Sequence, residues 1–323
     1  MDAIRTEQLT KVFPGGIRAV DGIDLRVREG EVFAFLGQNG SGKTTTVRML
    51  TTLLRPTSGR AWVGGHDVLA EPNEVRRLAG VALQEVGLDD FQTGRELLVL
   101  QARLFGLNGS EARRRAAELL EVVGLVDAAD RRLSTYSGGM RRRLDLAAAL
   151  VHRPRVLFLD EPTTGLDPIS RDAVWQYVRR INREDGVTIF LTTQYLEEAD
   201  RLADTVAIMH RGRVVASGSP EALKASIGAD VITIELDDGE AATERARTLL
   251  SRHEGIDDVR VVDGQVVVYL PEGARAIPRL VLALENAGLR PVAVTLARPS
   301  LDDVFLRITG HHLAREESEE RRG

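Results

Sequence analysis

The chain contains no cysteine among its 323 residues. Disulfide frameworks and thiolate metal sites are therefore excluded, and the composition suits a reducing compartment. Lysine is scarce. Lys11, Lys43 and Lys224 are the only ones, and almost every other basic position is arginine. No apolar run approaches the roughly 18 residues that a membrane-spanning helix needs, so any membrane role must come through a partner. Nothing at the N-terminus reads as a secretory leader. The six histidines are scattered without metal-ligand spacing, and His311-His312 fall in a charged tail. An excess of positive charge is missing as well. The net charge of −5 argues against a general nucleic-acid binder.

What is present is the composition of a globular protein, with 43% hydrophobic and 28% charged residues. The length predicts about two domains, each able to bury its own core. One stretch organises the rest. Gly37-Gln38-Asn39-Gly40-Ser41-Gly42-Lys43-Thr44 fits G-x-x-x-x-G-K-[ST] at every fixed position. The apolar run Val32–Leu36 leads in as a buried strand, and Thr45–Thr51 leads out as a helix. Glycines let backbone N–H groups turn inward around a triphosphate, and the helix N-terminus adds partial positive charge. Lys43 is expected to reach the β- and γ-phosphates of ATP, and the Thr44 hydroxyl to ligate Mg²⁺. In a chain so poor in lysine, Lys43 stands where a compact ammonium fits and a planar guanidinium does not.

Before that loop the chain reads as short strands: Ile4–Leu9, Ala19–Val20, Ile23–Val27 and Val32–Leu36, with Pro14-Gly15-Gly16 as a turn. Phe13, just before the turn, is either an adenine-stacking ring or a strand-end core residue. After the loop, Arg60–Val63 and Gly80–Leu83 read as strands, the latter ending at Gln84. From Thr93 to about Leu133 the composition turns helical, an insertion in the nucleotide domain. Its Arg113-Arg114-Arg115 run reads as a solvated helix face. Ser137-Gly138-Gly139 precedes an amphipathic helix, Arg141–Val151, and is either a second anion site or an ordinary cap. Val156–Leu159 is an uninterrupted apolar run, as a central parallel strand should be, and it ends in Asp160-Glu161. That pairing predicts an Asp that holds Mg²⁺ and a Glu that polarises a water. Val187–Thr192 is another buried strand, followed by Thr193-Gln194. Beyond Gly228 the order β-α-β-β-α-β predicts a small ferredoxin-like sandwich, regulatory or dimerising. The tail from Ala314 is charged and expected to be disordered.

Together these motifs resemble the nucleotide-binding subunit of ATP-binding-cassette (ABC) transporters over about residues 1–225. The resemblance implies a P-loop NTPase fold of the α/β class. It carries an antiparallel β subdomain and a helical insertion at about 85–135, with the ferredoxin-like α+β unit at 228–310 and a tail at 311–323. Gly37 to Thr44, with Thr45 at the next position, resembles the first phosphate loop. Gln84 resembles the glutamine that contacts Mg²⁺ and the attacking water, and whose loop meets the membrane subunit. Tyr136-Ser137-Gly138-Gly139-Met140 resembles the signature that closes on the partner subunit's γ-phosphate. Asp160 and Glu161 resemble the metal-binding Asp and the catalytic Glu, Leu166-Asp167 the loop that couples two sites, and Phe13 the adenine-stacking aromatic. Pro299-Ser300-Leu301-Asp302-Asp303-Val304-Phe305-Leu306, with the Arg-rich signature helix and Thr-Thr-Gln-Tyr-Leu-Glu-Glu-Ala-Asp, looks like the daunorubicin/doxorubicin resistance ATPases of drug exporters, to about Gly310.

Two positions depart from the pattern. Met140 replaces the signature's usual Gln, and Gln194 stands where the family usually has a His that senses the γ-phosphate. A glutamine donates one N–H bond to a phosphate oxygen but carries no proton or positive charge, so slow hydrolysis is expected. The resemblance implies a head-to-tail homodimer around two Mg-ATP, each held between Lys43 of one chain and Ser137–Gly139 of the other. Helical segments near Gln84–Phe91 would pass its motion to a separate integral membrane permease, at the cytoplasmic face of the cell membrane, to export an amphipathic drug. Two rivals are a soluble cassette ATPase acting on nucleic acid or the ribosome and a non-hydrolysing ATP-binding regulator. A single cassette without a long coiled coil weighs against the first, and intact Lys43, Asp160 and Glu161 against the second. A dehydrogenase reading fails, because the Lys-Thr pair belongs to triphosphate binding.

Overall fold

The computed structural model describes residues 1–84, 87–227, 230–237 and 239–309. The expected tail at 311–323 lies outside the described residues. The chain divides into two compact units, Met1–Ser219 and Pro220 onward.

The first unit holds two sheets. Five strands, Arg18–Ile23, Asp2–Val12, Ser58–Val63, His66–Asp67 and Arg26–Arg28, pair antiparallel around Asp2–Val12. Six more form the second sheet in the order Arg213–Gly218, Thr205–His210, Val32–Gly37, Thr188–Thr193, Val156–Asp160, Ala79–Ala82. All of its pairings are parallel except that of the edge strand Arg213–Gly218. Every residue of Val32–Gly37, Val156–Asp160 and Thr188–Thr193 is buried, which is why these runs lack polar alternation. Phe33, Phe35, Phe158 and Phe190 join Ile4, Leu9 and Val63 of the antiparallel sheet in one core, with the Phe33 and Phe190 rings stacked at 5.3 Å.

The expected insertion consists of the helices Gly94–Leu104 and Gly109–Val122, each opened by a capping box, Thr93 with Glu96 and Asn108 with Glu111. One expectation is corrected. The stretch near Gln84–Phe91 is not helical where it is described, at Gln84 and 87–91. The first helix waits for Thr93, whose hydroxyl accepts from the Glu96 N–H, while upstream the Asp89 carboxylate accepts from Phe91 N–H at 3.0 Å and Asp90 O accepts from Ser134 N–H at 3.2 Å. Short side chains that bond local backbone in this way favour turns over helix.

The second unit has a four-stranded antiparallel sheet in the order Asp258–Val262, Gln265–Leu270, Asp230–Leu236, Pro291–Ala297. Helices Gly239–Leu250 and Gly273–Asn286 bury Ala246, Leu250, Leu280 and Leu284 against Ile232, Ile234, Val266 and Val268. This is the expected ferredoxin-like arrangement. The hairpin turn uses Asp263 and Gly264 at φ 58° and 75°, the two left-handed residues of a primed turn. The unit begins earlier than the 227/228 boundary read from the sequence. Helix Pro220–Ile227 belongs to it, because its buried Leu223 and Ile227 go with the closing helix Leu301–Thr309, whose Arg307 donates to Ile227 O at 2.8 Å.

Candidate active site

Four parallel strands, Ala79–Ala82, Val156–Asp160, Thr188–Thr193 and Val32–Gly37, end side by side, with Leu36 in register with Thr193 and Asp160 with Thr192. The loops after these ends gather the predicted residues at one edge, the usual ligand edge of an open α/β sheet.

The Gly37–Thr44 loop packs tightly on its own scaffold. A Cβ on Gly37 would lie 2.5 Å from Met209 O, and one on Gly42, at φ 108°, would lie 2.2 Å from Ala19 O. Only glycine fits either position. Helix Lys43–Leu50 starts at Gly42 with no side-chain cap, so no capping side chain occupies its N-terminus beside the loop. Lys43 is 3% exposed, and its Nζ lies 3.5 Å from Glu161 Oε1. The ammonium also donates to Gly37 O at 2.7 Å and Gln38 O at 2.9 Å. Asn39 and Gly40 are exposed at the loop tip and Thr45 is half-buried.

Asp160 ends its strand buried. Its Oδ1 accepts from Thr44 Oγ1 at 3.1 Å and from Thr192 Oγ1 at 2.5 Å, while Oδ2 is buried without a partner. Ser41 Oγ and Gln38 Nε2 are likewise buried without partners. Buried polar atoms left open beside a lysine and a helix N-terminus fit an anionic ligand and its counter-cation. The Thr44 hydroxyl and the open Asp160 oxygen fit a small hard cation. Among the described residues there is no group of three or more His, Cys, Asp or Glu to cage one, so phosphate and water would supply the rest of its shell. Glu161 sits at φ 49°. Its N–H donates to Thr192 O and to Thr192 Oγ1, each at 3.1 Å, and its Oε2 accepts from Thr164 Oγ1 at 3.2 Å.

The structure thus brings Lys43, Thr44, Asp160 and Glu161 into one bonded cluster. Other predicted residues stand around it. Gln84 is exposed two residues beyond the strand Ala79–Ala82, and Gln194 is half-buried one residue beyond Thr188–Thr193. Phe13 is half-buried, with Lys11 Nζ 5.3 Å from its ring centre. Ser137 caps helix Gly138–Ala149 by accepting from Met140 N–H at 3.3 Å. Ser137 and Gly138 face solvent, while Gly139 is buried where a Cβ would meet Ser170 Oγ at 2.5 Å. Ser170 is in turn held by Asp167, whose carboxyl its hydrogen bonds keep below the usual range. Tyr136 is buried and donates to Ala128 O at 2.7 Å, anchoring this turn to the helical insertion.

Sequence reasoning missed three residues of the site's surroundings. Thr192 pairs with Asp160 only through strand register. Glu198 is fully buried, accepting from Thr163 Oγ1 at 2.9 Å and Trp175 Nε1 at 2.8 Å, and burial raises its carboxyl. Arg142, the middle of three consecutive arginines, is buried beside Asp160. Its helical spacing from Gly139 and Leu146 on the buried face was a readable signal. A cavity of about 820 Å³ lies elsewhere, at the opposite strand ends beside Val156 and Thr188.

Residues 20–164 match the ABC transporter family, and residues 218–309 match the C-terminal domain of DrrA1-3-like ATP-binding proteins. The chain is 49% identical over 309 residues to the daunorubicin/doxorubicin resistance ATP-binding protein DrrA of Streptomyces peucetius, covering 96% of this chain and 93% of that one. Among solved structures it is similar to an ATP-binding cassette in a dimeric post-hydrolysis state bound to ADP and Pi, at 26% identity and a TM-score of 0.62, covering 67% of this chain and 98% of that one. It is also similar to cbiO1 of Clostridium perfringens, part of an ABC transporter complex, at 27% identity and a TM-score of 0.65, covering 78% and 95%. ATP-binding subunits of this kind dimerise and work with membrane permeases. A lysine-bearing phosphate loop, an open Asp160 oxygen and a matched C-terminal unit lead to one conclusion: the chain belongs to the ATP-binding, ATP-hydrolysing subunits of ABC transporters, in the daunorubicin/doxorubicin resistance group.

Proposed function

We propose that this chain powers export of an amphipathic, anthracycline-like compound through a separate membrane permease, docked at the cytoplasmic face of the membrane. Among the described residues no helix is long and apolar enough to cross a bilayer, so the translocation path belongs to the partner. The cargo class rests on the likeness to a relative named for daunorubicin and doxorubicin resistance.

The observation that carries the catalytic reading is the cluster itself: Lys43 Nζ at 3.5 Å from Glu161 and Thr44 Oγ1 at 3.1 Å from Asp160. Lys43 exchanges its contacts with Gly37 O and Gln38 O for phosphate oxygens, and Phe13 stacks on the adenine. Thr44, Asp160 and Gln84 would hold Mg²⁺, which when bound would offset the charge of the β- and γ-phosphates. Glu161, released from Lys43, accepts a proton from the attacking water. Gln194 donates an N–H to the γ-phosphate. The exposed Ser137 and Gly138 at a helix N-terminus complete the site of a second copy, so two chains close head to tail around two nucleotides.

The test is Glu161→Gln. This variant should bind Mg-ATP with ordinary affinity, form a dimer detectable by light scattering, and release phosphate more than about a hundredfold slower. Phosphate release at the normal rate would show that Glu161 is not the base.

A further inference from the structure

The structure assigns Arg142 as the positioning residue for Glu161, gripping the backbone on both sides of it and tying it to the strand exit before Gln84. This inference rests on the reading of Glu161 as the base.

Glu161 is a non-glycine residue at φ 49°, directly before Pro162, where compact backbone is disfavoured. Such a conformation persists only where its surroundings over-determine it. Two of the restraints come from one side chain. Arg142 Nη2 donates to Asp160 O at 3.0 Å and Nε donates to Pro162 O at 2.9 Å. These are the carbonyls of the residues directly before and directly after Glu161, so the guanidinium spans the corner. The Glu161 N–H, bonded to Thr192, supplies the remaining hold. A planar guanidinium with fixed donors suits this task, and an ammonium does not reproduce it.

The same group reaches further. Its Nη1 donates to Leu83 O at 2.5 Å and to Asp145 Oδ2 at 3.1 Å. Leu83 directly precedes Gln84, and Asp145 stands one turn along Arg142's own helix. Arg142 also lies on the helix that Ser137 caps. One side chain therefore links the Ser137–Gly139 turn, the Glu161 corner and the approach to Gln84. Each guanidinium nitrogen of Arg142 is already bonded, Nε to Pro162 O, Nη1 to Leu83 O and Asp145, and Nη2 to Asp160 O. It acts through the carbonyls it holds.

The experiment uses the full chain and Mg-ATP, and reads phosphate release, nucleotide affinity and thermal melting for Arg142→Lys, Asp145→Asn, Glu161→Gln and the double variants. Arg142→Lys should lower kcat on the order of 10–100-fold, the scale of a misplaced catalytic group, and leave KM and Mg-ATP affinity within about threefold. In the Glu161→Gln background the same substitution should add nothing to the loss in single-turnover rate, because the two residues act as a unit. A wild-type kcat in Arg142→Lys, or an equal further loss in the double variant, overturns the inference. If Glu161→Gln hydrolyses normally, the reading of the base fails first and independently. Should Arg142→Lys not melt cooperatively, Asp145→Asn takes its place, since it keeps all three carbonyl bonds and removes only the carboxylate that orients the fork. It should lower kcat about threefold, again without effect in Glu161→Gln, and an unchanged kcat there overturns the inference.

Discussion

Gln194, proposed above to donate to the γ-phosphate, is half-buried one residue beyond the strand Thr188–Thr193. An imidazolium there brings positive charge to the transition state, whereas a neutral amide brings only a hydrogen-bond dipole. Gln194→His should therefore raise the phosphate-release rate, by about tenfold if the added charge stabilises the transition state by some 1.4 kcal/mol. An unchanged or lower rate would mean that the glutamine is not limiting. The residues that make the loop are legible in the sequence for a physical reason. Gly37, Gly42 and Lys43 act within one short segment, and a segment's backbone demands are written in its own residue types. Thr192 is not legible, because nothing nearby in the chain marks it. It meets Asp160 only because two strands pair in one register.

The helix Gly138–Ala149 carries two jobs, a capped N-terminus at Ser137 and a buried ion pair one turn further on. Arg142 and Asp145 are 3.1 Å apart, yet burial outweighs their attraction. It lowers the tendency of Arg142 to hold its proton and pushes the Asp145 carboxyl up to about 6. The folded state therefore binds a proton at Asp145 that the unfolded chain, with its carboxyl near 3.8, has already released. By linkage, the stability tied to Asp145 is fully present below about pH 4 and is lost as pH rises to about 6. Two pH units of difference correspond to about 3 kcal/mol. Asp145→Asn lacks this loss, so its stability relative to the parent should improve between pH 4.5 and pH 7. Urea unfolding at both pH values checks it, and parallel pH profiles would contradict it. At the same scale the two capping boxes were sequence-local and mark where the insertion's helices start. The turn-rich approach to Thr93 is not helical as the sequence suggests, because the Asp89 carboxylate bonds nearby backbone rather than leaving it to extend a helix.

Across the whole molecule, the division at Ser219/Pro220 sets what a shortened chain keeps. A chain ending at Ser219 retains both sheets and the complete phosphate loop. One ending at Ile227 adds a helix whose Leu223 and Ile227 have lost their partners on Leu301–Thr309. The first should bind Mg-ATP and stay dispersed. The second should bind it equally but self-associate through the uncovered apolar face. Analytical ultracentrifugation of the two, with nucleotide affinity as the control, distinguishes them. Equal dispersion of both would return the boundary to Ile227.

The sequence by itself determined the phosphate loop, the strand ending in Asp160-Glu161 and the β-α-β-β-α-β order of the second unit. Each depends on spacing within a single segment or on the succession of segments, and both are written along the chain. Only the tertiary structure decided that Thr192 shares Asp160 with Thr44, that one guanidinium holds the corner of Glu161, and that Pro220–Ile227 sides with the closing helix. These depend on which distant residues come within hydrogen-bond or packing distance once strands and helices have paired. That is a property of register and side-chain reach, which no local pattern encodes.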